Sequence, residues 1–562
     1  MISRLILWAR SPLHVLQAFL SLCHNNAISV PQLSTDSNGL LRGLLRRTGI
    51  MKKTRTHWFL VGALLALSGC ASIDFDYPKS ESSAFTDTGD TQLGRVFADA
   101  VAAHPEEAGF LPLVEGVEAL AIRLLLAERA ERSIDTQYFL IHDDVVGRLF
   151  IESLLLAADR GVRVRLLIDD IHTGGHDAGL AALDSHPNFE VRLFNPFAHR
   201  SVKALNAPSL KRVVRRMHNK SFTADNQMTV IGGRNMGDEY FGARSDVNFG
   251  DLDVLGIGPV VQEVSSMFDM YWNHQAALPM PALTRGPDNA EEALDTMRKR
   301  LAESSAKIAE SRYADVLQST IFDTLQRDAS AFVWAPYELV YDSPDKSQPD
   351  SSETAASITT ALRDTIVNAE KELLIISPYF VLRDREINGF RELRNRGIEV
   401  AVLTNSLASN NHAVSHSGYS PVRKPMLEMG VKLYEVRADA SISSNERVGT
   451  DSAKTTLHAK AFIVDRRRLF IGSFNWNQRS ANIDTEMGVI IDSPELAGEF
   501  AELFHSLERD KSYELFLNDD GNLRWRGEEN GQEVILSKEP QTSWWQRFSA
   551  GFLRTLPIKS QL

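Results

Sequence analysis

The sequence predicts an α/β fold made of two similar halves, because one distinctive segment occurs twice. The pattern His-x-Lys-x-x-x-x-Asp begins at His218 and begins again at His458, 240 residues later. Each copy runs into a turn of small residues that carries Asn235 or Asn475, and these asparagines are also 240 residues apart. Two matches in one register indicate an internal repeat rather than a chance pair.

The segments around the motifs repeat as well. In the first half, a strand-like segment that contains Tyr138 is followed by a helical stretch and the β-branched run 162–170. In the second half, a strand-like segment that contains Tyr379 is followed in the same way by the run 398–404. Strand, helix and strand in alternation are typical of layered α/β structure, which we therefore expect in each half.

Composition limits the classes of function. The chain has 562 residues, 43% of them hydrophobic and 24% charged, which suits a globular protein of two or more domains. Its net charge of −12 opposes the attraction to polyphosphate that nucleic-acid binding requires. We therefore predict no nucleic-acid partner.

The N-terminal region resembles a bacterial lipoprotein signal. Residues 51–70 contain a basic start, a short apolar stretch and a small-residue cleavage site that ends at Cys70. This order predicts removal of the segment and lipidation of Cys70, which would anchor the protein in the bacterial cell envelope. The alternative is an unmodified, buried Cys70 beside an ordinary apolar helix.

Two further expectations concern this end of the chain. Residues 1–50 precede the signal, so we predict that they are a non-native upstream extension and that translation begins at Met51; a true apolar segment upstream is the alternative. Ala71 and Ser72 follow the cysteine without an aspartate, which by resemblance to enteric lipoprotein sorting favours the outer membrane over the inner membrane.

The remaining chain divides by composition. Ser, Thr and Asp enrich the segment after Cys70, as in a solvated tether, and the segment from 288 reads as helical without Gly or Pro. That helical segment is either a connector between lobes or a helix packed on the first lobe. The predicted divisions are tether 71–92, first lobe 93–287, connector 288–329, second lobe 330–510, and a C-terminal hairpin and amphipathic helix 511–562.

The C-terminal segment combines aromatic and basic residues. Trp544, Trp545 and Phe548 fall at helical spacing, with Arg547 and Arg554 nearby. Such a helix is suited to a membrane interface. The alternative is that the helix packs onto the preceding hairpin.

The repeated motif can support phosphoryl chemistry. Its His and Lys lie two residues apart on a strand and therefore point to the same face. Paired across a two-fold interface, one imidazole can attack phosphorus while the other protonates the departing alcohol, with lysines and asparagines holding the phosphate oxygens. The predicted catalytic residues are His218, Lys220, Asp225, His458, Lys460 and Asp465, and the predicted phosphate-binding residues are Asn235, Asn475 and Ser473.

The two motif aspartates have a second interpretation. Asp225 and Asp465 begin tight turns, where aspartate bonds to local backbone, and this structural role is favoured over direct catalysis. No zinc-binding spacing, no His-Glu-x-x-His and no Walker loop occurs in the sequence. We therefore predict neither a metal nor a cofactor.

These motifs resemble the phospholipase D superfamily and, within it, the bacterial cardiolipin synthases. The resemblance rests on both His-Lys-Asp motifs and on the turns Gly232-Gly-Arg-Asn and Gly472-Ser-Phe-Asn, and it covers residues 95–560. It implies two lobes, each a sheet flanked by helices, with the active site at their pseudo-two-fold interface. It also implies a covalent phosphohistidine on His218, with His458 as general acid and then base, and it maps histidine-orienting carboxylates onto Glu486 and Asp251.

The resemblance implies a phosphatidyltransferase. We expect cardiolipin to form from phosphatidylglycerol and a second phospholipid, either phosphatidylglycerol or phosphatidylethanolamine. The alternatives are a phospholipase D that releases phosphatidic acid and, in another class, a catalytically silent lipid-anchored binding protein; a nuclease is disfavoured by the charge and the anchor. The expected partners are phospholipids and a membrane, and the sequence leaves open whether an accessory protein is required.

Overall fold

The computed structural model describes residues 73–200, 202–309, 312–325, 329–349, 357–440, 454–529 and 531–555. The predicted upstream extension and the predicted signal with Cys70 lie outside these residues. No helix in the described ranges is long and apolar enough to cross a membrane.

The chain forms two compact units. One comprises residues 1–74 and 196–213, of which the structure describes a 3-10 helix, Lys203–Ser209, and a one-turn helix, Leu210–Val213. Inside this unit, the Asn206 side chain donates to the backbone oxygen of His199 at 3.0 Å. The other unit comprises residues 75–195 and 214–562 and contains both lobes.

The first lobe is built on a nine-stranded mixed sheet. Its spatial order is β10-β1-β8-β6-β5-β2-β3-β4-β9, with β2, β3 and β4 parallel. The strands are β1 (Ala108–Leu113), β2 (Ser133–Tyr138), β3 (Arg163–Asp169), β4 (Phe189–Phe194), β5 (Ser221–Ala224), β6 (Met228–Gly232), β8 (Asp253–Ile257), β9 (Ala277–Pro279) and β10 (Val333–Ala335).

The second lobe is built on a ten-stranded sheet. Its order is β11-β18-β17-β16-β12-β13-β14-β19-β20-β21. The strands are β11 (Tyr337–Tyr341), β12 (Glu372–Ile376), β13 (Glu399–Asn405), β14 (Lys432–Val436), β16 (Ala461–Val464), β17 (Arg468–Gly472), β18 (Met487–Asp492), β19 (Ser512–Leu517), β20 (Leu523–Glu529) and β21 (Gln532–Leu536). A separate parallel pair joins β7 (Val247–Gly250) of the first lobe to β15 (Lys454–Leu457) of the second.

The sequence repeat is also a repeat of topology. Seven strands of the first sheet, β1-β8-β6-β5-β2-β3-β4, have the same order as β11-β18-β17-β16-β12-β13-β14 of the second. In both lobes the motif strand, β5 or β16, lies between the antiparallel part and the parallel part of its sheet. The predicted fold of two similar α/β lobes is confirmed.

Helices cover the sheets. Those of the first lobe are α1 (Gln92–Val96), α2 (Ala98–Ala103), α3 (Gly116–Arg129), α4 (Val145–Asp159), α5 (Asp177–Asp184), α7 (Pro259–Asn273), α8 (Ala290–Ala309) and α9 (Arg312–Leu325). The label α6 is given to the one-turn helix Leu210–Val213 of the unit that comprises residues 1–74 and 196–213. Those of the second lobe are α10 (Ile358–Val367), α11 (Asp384–Asn395), α12 (Ala413–Tyr419), α13 (Arg423–Glu428), α14 (Gln478–Asn482), α15 (Pro494–Lys511) and α16 (Trp544–Leu553).

Local sequence sets where equivalent helices begin and end. Asp144 caps α4 by accepting from the backbone of Gly147, and the turn after that helix needs Gly161 at φ +96°. α7 and α15 both begin with proline at the first turn, where its missing N–H costs no helical hydrogen bond.

A shared core joins the lobes. Each lobe has an apolar cluster of its own, but a third cluster contains Val264 and Phe268 from α7 together with Phe500 and Phe504 from α15. This central cluster also includes strand residues of both sheets. Burial of these aromatic side chains opposes separation of the lobes.

The predicted flexible tether is wrong for the residues after 78. Ser82 donates its backbone N–H to Asn273 at 3.2 Å, and Ala84 donates to Asp269 at 2.9 Å. The guanidinium of Arg163 lies 3.8 Å from the centre of the Phe85 ring. The Ser- and Asp-rich composition was interpreted as solvated, but its backbone groups find fixed partners on the first lobe.

Helices α8 and α9 pack on the first lobe, which was the alternative to a connector between the lobes. Leu294 and Leu301 of α8 and Tyr313 and Leu317 of α9 belong to the core of the first lobe. The first sheet also extends past the predicted boundary at residue 287, because β10 pairs with β1. An amphipathic pattern does not reveal which surface covers its apolar face, so the sequence left this choice open.

The predicted C-terminal hairpin is part of the second sheet. β19 pairs antiparallel with β14, and β20 and β21 continue the sheet outward. The second lobe therefore extends beyond its predicted end at residue 510.

The motif aspartates support the fold rather than face the histidines, so their predicted catalytic role is corrected. Asp225 accepts backbone N–H groups from Glu131, Arg132 and Ser133 at 2.7–3.2 Å. Asp465 accepts the equivalent groups at residues 370–372 at 2.7–2.9 Å. Strand β5 separates Asp225 from Lys220, and five residues of strand span about 16 Å.

We expect Asp225→Ala to destabilise the protein by about 3 kcal/mol, because it leaves three backbone donors without their charged acceptor. The urea midpoint measures this loss. Asp246→Ala is the matched control, since Asp246 is exposed and its carboxylate accepts from nearby groups, Arg244 and the backbone N–H of Val247. Unchanged stability with lost turnover in Asp225→Ala would instead return the residue to the catalytic set.

Candidate active site

Backbone pairing between the lobes places the first histidine. The segment that carries His218 runs beside the segment that precedes β18: His218 donates its N–H to the oxygen of Thr485 at 2.9 Å, and Thr485 donates to the oxygen of Arg216 at 2.9 Å. Glu486 follows in the same segment, and its Oε2 lies 2.8 Å from His218 Nδ1. The carboxylate of the second lobe therefore orients the histidine of the first.

The second histidine is placed by the equivalent backbone pairing, with the roles of the two lobes exchanged. β15 pairs with β7, and His458 donates its N–H to the oxygen of Gly250 at 2.7 Å. Asp251 follows Gly250, and its Oδ2 lies 2.5 Å from His458 Nδ1. An Nδ1–H that donates to a carboxylate leaves Nε2 as the reactive nitrogen in both imidazoles.

Two serines hold the carboxylate of Glu486. Ser473 Oγ donates to Oε2 at 2.5 Å, and Ser480 Oγ donates to Oε1 at 2.6 Å. We predicted Ser473 at the phosphate; its hydroxyl is instead bonded to Glu486, because β17 ends beside the start of β18. Ser480 was missed, although its position six residues before Glu486 in the same turn was a usable signal.

Asp251 is held without serines. Its Oδ1 accepts the backbone N–H of Leu252 at 2.8 Å. Gly233 occupies the position equivalent to Ser473, and a Cβ there would lie 2.2 Å from Asp251 Oδ1. The close approach of this carboxylate therefore requires glycine, and the two orienting groups are not equivalent.

Both motif lysines are buried beside their histidines. Lys220 Nζ donates to the oxygen of His218 at 2.6 Å, and Lys460 Nζ lies 2.8 Å from Nδ1 of His458. Each lysine is about 1% exposed. Two lysine side chains thus lie in a region from which water is largely excluded; this burial lowers the pKa of Lys220 well below its usual value, and an anion gains most there from a charged lysine.

The predicted phosphate-binding asparagines lie in the same region. Asn235 donates its amide to the hydroxyl of Tyr240 at 3.0 Å, and Asn475 donates its backbone N–H to Ser480 Oγ at 3.2 Å. Among the described residues, no donor reaches the buried Oδ1 atoms of these two asparagines. Asn235 therefore also supports Tyr240, a role that the sequence did not reveal.

Aromatic rings pack against both imidazoles. Phe139 meets His218 edge to face at a centroid distance of 5.1 Å; Tyr240 meets His458 in the same way at 5.2 Å, and Phe249 stacks on it at 5.4 Å. Sequence reasoning missed these three residues. Phe139 had a signal, since it follows the end of β2, whereas Tyr240 ends a short 3-10 helix and Phe249 lies in β7, and the sequence does not reveal that both meet His458.

Three other residues have clear positions. Tyr138 is in the core, where its hydroxyl accepts from Arg123 at 2.9 Å, and Tyr379 donates to Asn411 at 2.8 Å. His416 is buried in α12, and its Nε2 lies 2.9 Å from Arg423 and 3.4 Å from Glu539.

Burial and the lysines determine the charge of the site. Burial lowers the pKa of His218 well below its usual value, and Lys220 and Lys460 lower it further. Burial and Lys460 lower the pKa of His458 to about 3, against the opposing effect of Asp251. Both imidazoles are therefore neutral at physiological pH before substrate binds, as a nucleophile must be.

The orienting carboxylates differ. Burial raises the pKa of Glu486 above its usual value, although Lys220 and Ser473 oppose this. Burial alone would also raise the pKa of Asp251, but its interactions with His458 and Lys460 outweigh burial and hold that pKa below its usual range. Asp251 is thus the more firmly ionised carboxylate.

One group among the described residues has the donor set for a metal ion. It comprises His142, Asp144 and Glu239. His142 Nδ1 lies 3.3 Å from Glu239 and 3.6 Å from Asp144, and hydrogen bonds to Asp144 and Glu239 raise the pKa of His142 to about 9. An imidazolium between these two carboxylates offsets one of their two negative charges, and we assign the group no catalytic role.

Known proteins match both the sequence and the fold. Residues 125–272 and 362–508 match the family model described as cardiolipin synthase, PLD-like domain, and each match contains one motif. The chain belongs to this family, whose members are phospholipase D-type phosphatidyltransferases. The duplicated motif, the lobe topology and the family match agree.

Individual relatives cover most of the chain. It is 39% identical to cardiolipin synthase C of Escherichia coli K12 over 81% of this chain and 96% of that protein. It is 29% identical to an uncharacterized protein of Helicobacter pylori over 87% and 97% of the two chains. The fold also resembles the crystal structure of phosphatidylserine synthase from Haemophilus influenzae, with a TM-score of 0.52, 13% identity, and coverage of 83% of this chain and 99% of that one.

We expect kcat/KM to fall above about pH 8. Burial lowers the pKa of Lys460 to about 8, so its ammonium is charged below that pH and neutral above it, and an anionic substrate then loses a binding partner. A pH–rate profile measures this limb. Lys460→Arg should move it upward, because a guanidinium stays charged.

The control is Lys424→Arg, which replaces an exposed lysine paired with Glu428. It should leave the profile unchanged. An alkaline limb that stays in place in Lys460→Arg would contradict the assignment of this limb to Lys460.

Proposed function

We propose that this enzyme makes cardiolipin by transferring a phosphatidyl group to phosphatidylglycerol through a phosphohistidine. The arrangement that carries the proposal is the pair of buried histidines, His218 and His458, each oriented by a carboxylate of the opposite lobe. The family relationship and the name of the E. coli relative support the same reaction.

In the first step, His218 acts as the nucleophile. Its Nδ1–H donates to Glu486, so the lone pair of Nε2 attacks the phosphorus of a glycerophospholipid. A nitrogen–phosphorus bond forms while the bond from phosphorus to the leaving glycerol or ethanolamine oxygen breaks. His458 gives its proton to that oxygen.

The proton on His458 depends on the substrate. In the empty site, burial and Lys460 keep this imidazole neutral. A bound phosphodiester brings a negative charge beside Lys460 and His458, which offsets the lysine and raises the pKa of the imidazole. Substrate binding thus favours the protonated imidazole that acid catalysis requires.

In the second step, the reaction reverses with a different alcohol. Neutral His458 takes the proton from a phosphatidylglycerol hydroxyl, whose oxygen attacks phosphorus and displaces His218. Over the two steps together, one phosphorus–oxygen bond is broken and one is formed, so the exchange needs no activated donor. Lys220 and Lys460 stabilise the charge on the non-bridging oxygens in both transition states.

We also propose that the chain is held in the bacterial envelope, with preference for the outer membrane, by lipid on Cys70. The lipoprotein-like segment 51–70 supports this, and an anchored enzyme keeps its bilayer substrates within reach. The mass of the mature N-terminal peptide tests it. Fatty acids on Cys70, absent from Cys70→Ser, are expected; an unmodified thiol on a chain that keeps residues 51–69 would contradict the anchor.

Mass spectrometry of lipid products tests the reaction. The full chain is incubated with phosphatidylglycerol, with and without phosphatidylethanolamine. We expect cardiolipin, with released glycerol or ethanolamine identifying the donor, and a loss of at least about 10³-fold in His218→Ala or His458→Ala. His505→Ala, which removes a histidine bonded to Glu508 on α15, is the matched control.

Other products separate the alternatives. Phosphatidic acid alone would mean that water resolves the intermediate and that the enzyme is a hydrolase. Lipid binding without any product or phosphohistidine would favour the silent binding protein, and activity restored by a cell extract would indicate an accessory protein.

The same variants distinguish the two histidines. A phosphatidyl donor with an aryl leaving group needs no acid, so His458→Ala should still form the phosphohistidine on His218 but resolve it slowly. His218→Ala should form none. Phosphate on His458 of the parent enzyme would exchange the two roles.

A further inference from the structure

The C-terminal helix α16 has an exposed aromatic face. Trp544, Trp545, Phe548 and Phe552 are 59%, 67%, 52% and 56% exposed. Trp544 and Phe548 stack at a centroid distance of 5.2 Å, and Trp545 packs edge-on against Trp544 at 4.7 Å. We call these four residues the aromatic face; within the described ranges, its two tryptophans are the only exposed ones.

The helix is fixed to the second lobe with this face outward. Ala550 and Leu553 are buried, and α16 packs against α12. Just before the helix, Glu539 accepts from Arg423 at 2.6 Å and Gln541 accepts from the backbone of Ala438 at 2.9 Å. The aromatic face is therefore not the apolar side of a helix that failed to dock.

A short path connects this helix to the catalytic histidine. The loop 406–412 leads from β13 into α12, on which α16 rests. Asn405, at the end of β13, makes two hydrogen bonds of 2.8 and 2.9 Å to the backbone of Leu457, the residue before His458. Thr456 donates to the oxygen of Ser409 in the same loop at 2.7 Å. The segment that leads to α12, on which α16 packs, is thus hydrogen-bonded to the residues that precede His458.

The charge of this segment differs from that of the chain. The net charge of the protein is −12, but from residue 540 to the C-terminus there are three cationic side chains, Arg547, Arg554 and Lys559, and neither Asp nor Glu. Tryptophan and phenylalanine beside arginine are the side chains that favour the interface of a bilayer with anionic headgroups. An anionic lipid surface therefore matches both the aromatic face and its surroundings.

We infer that the aromatic face inserts into the headgroup region of a bilayer rich in anionic phospholipid and so presents the active site to its substrates. This inference rests on the proposed use of phospholipids, but the surface contact involves no catalytic group. Insertion buries four aromatic side chains that the folded protein leaves in water.

Vesicle flotation tests the inference without turnover. The full chain with Cys70→Ser, which removes the thiol of the proposed anchor, is mixed with phosphatidylcholine vesicles with or without phosphatidylglycerol. We expect flotation with phosphatidylglycerol, and a loss of about tenfold or more in the triple variant Trp544→Ser, Trp545→Ser and Phe548→Ser. Arg554→Glu should weaken flotation only with phosphatidylglycerol.

Matched controls exclude a general effect of surface apolarity. Leu156→Ser and Val367→Ser replace side chains that are each 54% exposed on other helices, and they should float like the parent. The triple variant should also keep the melting temperature and its turnover of a short-chain monomeric substrate, while turnover on vesicles falls with binding.

Three results would overturn the inference. The first is equal flotation of the triple variant and the parent. The second is no flotation of either protein. The third is a concentration-dependent dimer that the triple variant loses in sedimentation without any vesicle binding, which would make a second copy the occupant. Vesicle binding without cardiolipin formation would instead contradict only the proposed reaction.

Discussion

The crossed pairing of histidines and carboxylates is the constraint on which the rest of the structure depends. His218 needs Glu486 of the other lobe, and His458 needs Asp251 of the first, so neither lobe contains a complete site. The lobes must therefore be held in one register to within hydrogen-bond tolerance. The β7–β15 pair, the backbone bonds between 216–218 and 484–486, and the shared core of α7 and α15 all serve this requirement.

The duplication is symmetrical in topology but not in chemistry. Glu486 is held by two serine hydroxyls and has a raised pKa, whereas Asp251 lies against glycine and has a lowered one. The carboxylate with the lower pKa better stabilises an imidazolium on its partner. His458, paired with Asp251, is thus the better placed to carry a proton, which supports its proposed role as acid and the proposed role of His218 as nucleophile.

The sequence predicted the repeated features of the fold, but it did not reveal the contacts that depend on which segments lie side by side in space. The alternation of strand, helix and strand, the two lobes and the histidine–lysine pairs follow from spacing, because a strand directs residues two apart to one face. The use of Ser473, Ser480 and Tyr240 depends on which turn lies beside which strand end. The same limit explains the tether: polarity suggested solvent, but Ser82 and Ala84 donate to side chains on α7 that are 191 and 185 residues distant in sequence.

Because the segment after residue 78 packs on the first lobe, the proposed anchor spans a shorter distance than a free tether would. Lys79 lies nine positions after Cys70 and bonds to the backbone of Ala277 at 2.9 Å. Nine extended residues span at most about 32 Å, whereas a free tether to residue 92 would span about 79 Å at most. An anchor this short keeps the body close enough to the bilayer for its surface to meet headgroups. Under the proposed anchoring, a second contact such as α16 costs little additional translational entropy, because a lipid anchor confines a protein to the surface.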